Sequence, residues 1–144
     1  SPFLRSIIIN KGSKHKINLG MVVMDEAYLV GKVFEVNYLS SRVLLLSDLN
    51  SKIPVIVEPN AVFSILSGTG KDYGIIQYSK KYEDIKNESV IYTSGAGSLF
   101  KAGIPIGRMN INNVSDEKKV EFFSDFSQLK FIKVVSFKKS ENKW

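Results

Sequence analysis

The chain has 144 residues, 44% of them apolar and 24% charged, with 20 Lys and Arg against 14 Asp and Glu and so a net charge of +6. That length and balance permit buried cores and argue against disorder over the main body, while the absence of cysteine excludes disulfides, thiol catalysis and thiolate metal sites. The positive excess favours an anionic neighbour such as nucleic acid, a phospholipid surface or an acidic protein, but the basic residues are scattered rather than clustered.

Helical periodicity is almost missing, and β-branched and aromatic runs recur between turn residues, which predicts an all-β chain. The expected strands are 6–10, 21–24, 29–38, 42–47, 52–58 and 62–66, then 73–78, 89–93, 105–114, 119–123 and 130–137. Gly12, Gly20, Gly68, Gly70 and Gly103 fall between these runs, where tight turns are expected. Gly31 and Gly107 fall inside them, which predicts a bulge or a close backbone approach that lets a short sheet curl. Ser47-Asp48-Leu49-Asn50-Ser51 and Ser124-Asp125-Phe126-Ser127-Gln128 follow two of the strands and read as corners capped by a side-chain oxygen.

Most of the chain is written twice. Ser6 to Ile9, Ile17 and Val22-Val23 are answered 68 positions later by Gly74 to Gln77, Ile85 and Val90-Ile91. Eight further residues precede the answer to Val30 to Val36 at Ile106 to Ile111, and one more precedes the answer to Arg42 to Asp48 at Lys119 to Asp125. A repeat of about 70 residues suits a small domain rather than a solenoid unit. The expected fold is therefore two tandem small β-barrel-like domains related by internal duplication. The first would cover 1–60 and the second 61–137, with 61–70 able to pair with either and 138–144 a flexible tail.

Reactive chemistry is poorly represented. His15 is the only histidine and sits between lysines in a polar turn, without the serine and orienting carboxylate that a hydrolytic triad requires. Gly95-Ala96-Gly97-Ser98 invites reading as a nucleophile turn or phosphate loop, yet a strand and not a helix follows it. No catalytic, cofactor or metal residue is expected, and no cofactor. Five apolar residues at predicted turns or strand ends stand out as partner anchors: Tyr28, Tyr38 and Leu39 in the first copy, Leu99 and Phe100 in the second. The alternative for Leu99 and Phe100 is that their loop folds back onto its barrel. Open sheet edges would supply a route to self-association. Nucleic acid is not expected as a partner, because Tyr28, Tyr38, Tyr73, Tyr78 and Tyr92 are spread over turns and strand ends rather than gathered into one stacking face. A basic small-barrel module for nucleic acid or anionic polymer is the alternative reading.

No apolar run is long enough to span a membrane, and residues 1–11 lack a signal-peptide pattern. The chain begins inside a strand-like pattern at Phe3-Leu4-Arg5-Ser6, as expected of a piece of a longer protein. The order Ile9-Asn10-Lys11-Gly12-Ser13, Gly20 to Val23, Leu29 to Val33, Ser41 to Asp48, Ser51 to Val55, Ile65 to Gly70, Thr93-Ser94-Gly95 and Gly103 to Arg108 resembles the extracytoplasmic region of the rod shape-determining MreC family. Ala96, Ser98 and Lys101 depart from that pattern within one loop. The resemblance implies an inner-membrane protein with a membrane helix and a coiled coil upstream, and two β-barrel-like domains on the periplasmic side. It further implies a noncatalytic scaffold of the cell-wall elongation machinery. The implied partners are the elongation transpeptidase, a penicillin-binding protein, the membrane protein MreD, and further copies of the chain.

Overall fold

The computed structural model describes residues 4–77, 85–98, 100–111 and 117–136. Alternation of apolar and polar residues makes strands of them: β1 Ser6–Ile9, β2 Val22–Asp25, β3 Tyr28–Val36, β4 Ser41–Leu45, β5 Lys52–Glu58, β6 Val62–Gly68, β7 Tyr73–Gln77, β8 Val90–Thr93, β9 Pro105–Ile111, β10 Lys118–Phe122 and β11 Ile132–Val135. Among the described residues two short 3-10 turns, Ser13–His15 and Ala96–Ser98, interrupt them. In β5, for example, Ile53, Val55 and Val57 are buried while Pro54 and Ile56 are half-buried, the period of two that a sheet with one covered face demands. The expected tail 138–144 lies outside the described residues, as do the predicted strand ends at 78, 112–114 and 137.

The strands form two units. One is an open, curled sheet of five strands in the order β1-β4-β3-β2-β11, and the other a closed barrel of six in the order β10-β7-β6-β5-β8-β9. The pairing does not follow the expected cut at residue 60. β5 and β6 form a hairpin inside the barrel, with Val57 opposite Val62, and β11 returns to the sheet, with Val134 opposite Val23. The expectation of two barrels is corrected as well, because β1 and β11 are the sheet's two ends and no described strand closes them.

Around the barrel the order β7-β10-β9-β8-β5 has the same sense as β1-β4-β3-β2-β11 in the sheet, and the registers agree. Val23 faces Gly31 as Ile91 faces Gly107, and each pairing slips immediately afterwards. Val33 faces Val43 as Met109 faces Val120. β11 lies on β2 as β5 lies on β8, Val134 against Val23 and Val57 against Ile91. Ile7 faces Val43 where Gly74 faces Val120, so β1 matches β7 one residue off the alignment read from the sequence. Gly31 and Gly107, at matching places in β3 and β9, do the same work. A Cβ on Gly31 would collide with the Leu44 carbonyl oxygen, and one on Gly107 with that of Glu121. Only glycine permits the neighbouring backbone so near.

Two clusters form the interior. Val23, Val30, Val33, Val43 and Leu45 fill the curl of the sheet together with Ile17. The barrel is filled by Val55, Leu66, Ile91, Ile106, Met109 and Val120 among others, and Val22, Leu29 and Leu46 join that cluster from the sheet. Adjacent residues of the sheet, such as Leu29 and Val30, thus serve opposite faces, because the sheet is covered on both sides near the junction. Phe126 packs against both clusters. Polar bonds reinforce the junction: the Arg5 amide donates to Asp48 Oδ1 at 2.6 Å, and Arg5 Nη1 to the Gly70 carbonyl at 3.0 Å. The Gly70 amide in turn donates to the Ser47 carbonyl at 2.7 Å.

Candidate functional site

The tip of the β3–β4 hairpin presents two neighbouring apolar side chains to solvent. Tyr38 is 65% exposed and Leu39 56%, and exposed apolar residues at a hairpin end have no core of their own to cover them. The tip is nevertheless fixed. The amides of Ser13 and Lys14 donate to the carbonyls of Asn37 and Tyr38 at 2.9 and 3.0 Å, and the Asn37 amide donates to the Ser40 carbonyl at 2.8 Å. Gly12 makes this docking possible, since a Cβ there would collide with the Asn37 carbonyl oxygen. A rigid apolar anchor loses little freedom when it is covered by a partner, which favours binding.

Tyr28 occupies a different place. Its ring meets that of Phe123 at 5.0 Å, and the Arg108 guanidinium lies 5.5 Å from the centre of the Phe123 ring. This strip joins the sheet to the barrel across the junction. Phe100 is buried in the barrel core, so the expected protruding anchor is corrected to the fold-back arrangement; Leu99 lies outside the described residues. The loop is pinned at its base, where Thr93 Oγ1 donates to the Lys101 carbonyl at 2.6 Å and accepts from the Ile104 amide at 2.9 Å.

Other large apolar side chains escaped the sequence reading: Ile8, Leu19, Leu49, Phe63 and Phe131 are each more than half exposed. For Ile8 and Phe63 the signal was present, because in Ile7-Ile8-Ile9 and Val62-Phe63-Ser64 the middle residue must face away from its neighbours.

Two of the polar groups in the His15 turn and the glycine loop make only local bonds, and the Ser98 side chain lies outside the described ones. His15 Nδ1 accepts from the Gly12 amide at 3.1 Å within its own turn. In the glycine loop, Ser94 Oγ accepts from the Ala96 amide at 3.2 Å, a local turn bond. No group of three or more His, Asp or Glu capable of holding a metal is present among the described residues. Among the same residues no helix is long and apolar enough to cross a membrane. Tyr28 opens β3, Tyr38 lies in the turn before β4, Tyr73 lies under the Lys119 ammonium at 4.6 Å on β7, and Tyr92 is on β8, so these four tyrosines are at separate places; Tyr78 lies outside the described residues.

The two corners are capped as expected. Asp48 Oδ2 accepts from the Asn50 amide at 2.8 Å. Asp125 Oδ1 accepts from the Ser127 hydroxyl at 2.6 Å and the Ser127 amide at 3.0 Å. The Ser127 hydroxyl bond, the amide bond and, more weakly, the nearby Lys130 charge hold the Asp125 carboxyl below the ordinary aspartate range.

The sequence matches the family model of the rod shape-determining protein MreC, barrel core, over residues 1–136. The cell shape-determining protein MreC of Cereibacter sphaeroides is 30% identical over 135 residues, covering 94% of this chain and 45% of that protein. The crystal structure of MreC from Pseudomonas aeruginosa is similar with a TM-score of 0.85 at 29% identity, covering 94% of this chain and 92% of that one. A chain from the complex between penicillin-binding protein PBP2 and MreC of Helicobacter pylori has the same fold, with a TM-score of 0.60 at 16% identity over 77% of this chain and 73% of that one. The chain spans less than half the length of the curated relatives it matches.

Proposed function

The chain belongs to the MreC family of rod shape-determining proteins, and on that premise we propose that it is a noncatalytic scaffold module of the bacterial wall-elongation machinery, working by holding other proteins. It acts on the periplasmic face of the inner membrane, in a longer protein anchored there by an upstream helix. Its principal partner is the elongation transpeptidase, with MreD and further copies of the chain as others. The complex formed by the Helicobacter pylori relative supports the choice of partner. The observation that carries the reading is the rigid apolar tip at Tyr38 and Leu39, exposed to solvent and held by backbone hydrogen bonds.

The physical mechanism is selection of a state. If the tip binds the active conformation of the transpeptidase more tightly than the inactive one, it shifts the population by that difference in affinity and performs no chemistry. The test measures binding of the transpeptidase's extracellular domain to the wild-type chain and to Tyr38→Ala and Leu39→Ala, both at exposed positions where folding is spared. A loss of tenfold or more is expected. Unchanged affinity in both variants, or transpeptidase activity indifferent to saturating chain, would refute the proposal.

We also infer that the two units arose by duplication, each lending its fifth strand to the other. The shared strand order and registers support this, with β5 and β11 in equivalent places although each follows the opposite unit in the chain.

A further inference from the structure

The open sheet differs from the barrel by one strand. In the barrel β6 lies between β5 and β7, antiparallel to both, with Leu66 between Ile53 and Ile76 and Val62 beside Val57. The sheet has counterparts of β5 and β7 in β11 and β1, and no described strand between them. A cavity of about 530 Å³ occupies that place, lined by Ile9, Ile17, Ile132 and Val134 with Asn10, Lys11 and His15 at its margin.

Burial marks what is missing. Val55 and Val57, beneath β6, are 0% and 1% exposed, and Ile76 is 4% exposed. The side chains in the matching places, Ile132, Val134 and Ile9, are only half-buried. Two edges also present backbone donors and acceptors that a further strand would satisfy. The register defines the guest. Taking β6 as the template, its inward positions at 62, 64 and 66 would enter the cavity, with position 66 beside Ile9 and position 64 beside Lys11.

We propose that this gap is a strand-accepting slot, filled by an extended segment of a protein partner that runs antiparallel to β1 and β11, apolar at alternate positions and acidic at its N-terminal end. The slot supplies main-chain pairing on both sides, and the cavity selects apolar side chains at every second position. The acidic end is set by charge. Lys11 and His15 are the titratable groups lining the cavity, and Lys14 and Lys16 flank His15 in the same turn. The carboxylate facing the β11 end, Asp25, is already engaged with the amides of Lys130 and Phe131 at 3.2 and 2.9 Å.

The test uses the full chain and a fluorescein-labelled peptide, Glu-Glu-Val-Thr-Val-Thr-Leu-Ser, apolar at the three inward positions, with a Lys-Lys-headed version as its control. Fluorescence anisotropy is expected to show saturable binding of the acidic peptide, at least tenfold tighter than the control. Val134→Asp is expected to abolish it. Lys11→Glu, at an exposed side chain, is expected to reverse the preference between the two peptides, and it keeps the test decisive if Val134→Asp does not fold. Hydrogen exchange should slow on adding peptide at the amides that face the open edges, Ser6, Ile8, Ile132 and Val134, since the alternate amides of β1 and β11 already pair with β4 and β2. Absence of saturable binding, or binding that survives both substitutions, overturns the proposal. So does slow exchange at those amides in the free chain: at every concentration it assigns the slot to the chain's own terminal segment, and only at high concentration to a second copy.

Discussion

Leu46 leaves the sheet at the end of β4 and is 2% exposed within the barrel-side cluster, so Leu46→Ala tests whether the two units share one stability. Three carbons are lost, worth roughly 2.4 kcal/mol at about 0.8 kcal/mol per buried carbon. Incomplete collapse of the cavity raises the expected cost to about 3–4 kcal/mol. For a chain of this size each kcal/mol moves the midpoint by about 3 °C, which predicts a fall in Tm on the order of 10 °C. Thermal unfolding followed by circular dichroism gives the midpoint. Native-state hydrogen exchange at Val23, in the sheet core, and Ile91, in the barrel core, reports each unit separately. Because β5 and β11 cross between the units and Phe126 packs against both clusters, both amides should exchange faster in a single shifted transition. A barrel that destabilises while Val23 keeps its wild-type protection would refute the shared-core argument. A Tm shift below about 3 °C would refute the burial argument itself.

Two further outcomes follow from the polar contacts. Thr93→Val, at a residue with no exposed surface, strands the Ile104 amide and the Lys101 carbonyl and is expected to destabilise by about 1–3 kcal/mol in chemical denaturation; a neutral result would mean that the loop base is not held by this hydroxyl. For Asp125, the folded value lies below the ordinary one, so the stability it contributes is present above the unfolded value near 3.8 and lost as pH falls through the folded value. Carboxyl titration by NMR should place Asp125 below a typical aspartate and move it upward in Ser127→Ala. Because the carboxylate is solvent-exposed, solvent screens the contribution and the change in global stability should be small.

Local features were legible because local physics decides them. Period-two alternation marked the buried faces of β5 and β9, Gly31 and Gly107 announced close backbone approach, and Asp48 and Asp125 announced their corners. The partner anchors were harder. Tyr38 and Leu39 are exposed at a hairpin end as read, whereas Phe100 is buried, because a turn residue's burial depends on which way its loop packs. Ile8 and Phe63 carried a readable signal in their alternation, but Phe131, at the entry to β11, carried none until the strand's partner was known.

The amino-acid sequence alone determined that this chain is all-β and where its strands and turns fall, since alternation, glycine freedom and side-chain caps act within a few residues. Only the tertiary structure decided that Val134 pairs with Val23 and that Val57 pairs with Ile91, and that one unit closes while the other stays open. Strand pairing over such separations is chosen by which edges remain unsatisfied once the rest of the sheet has curled, and a period of two records which face is apolar without recording which edge it will meet.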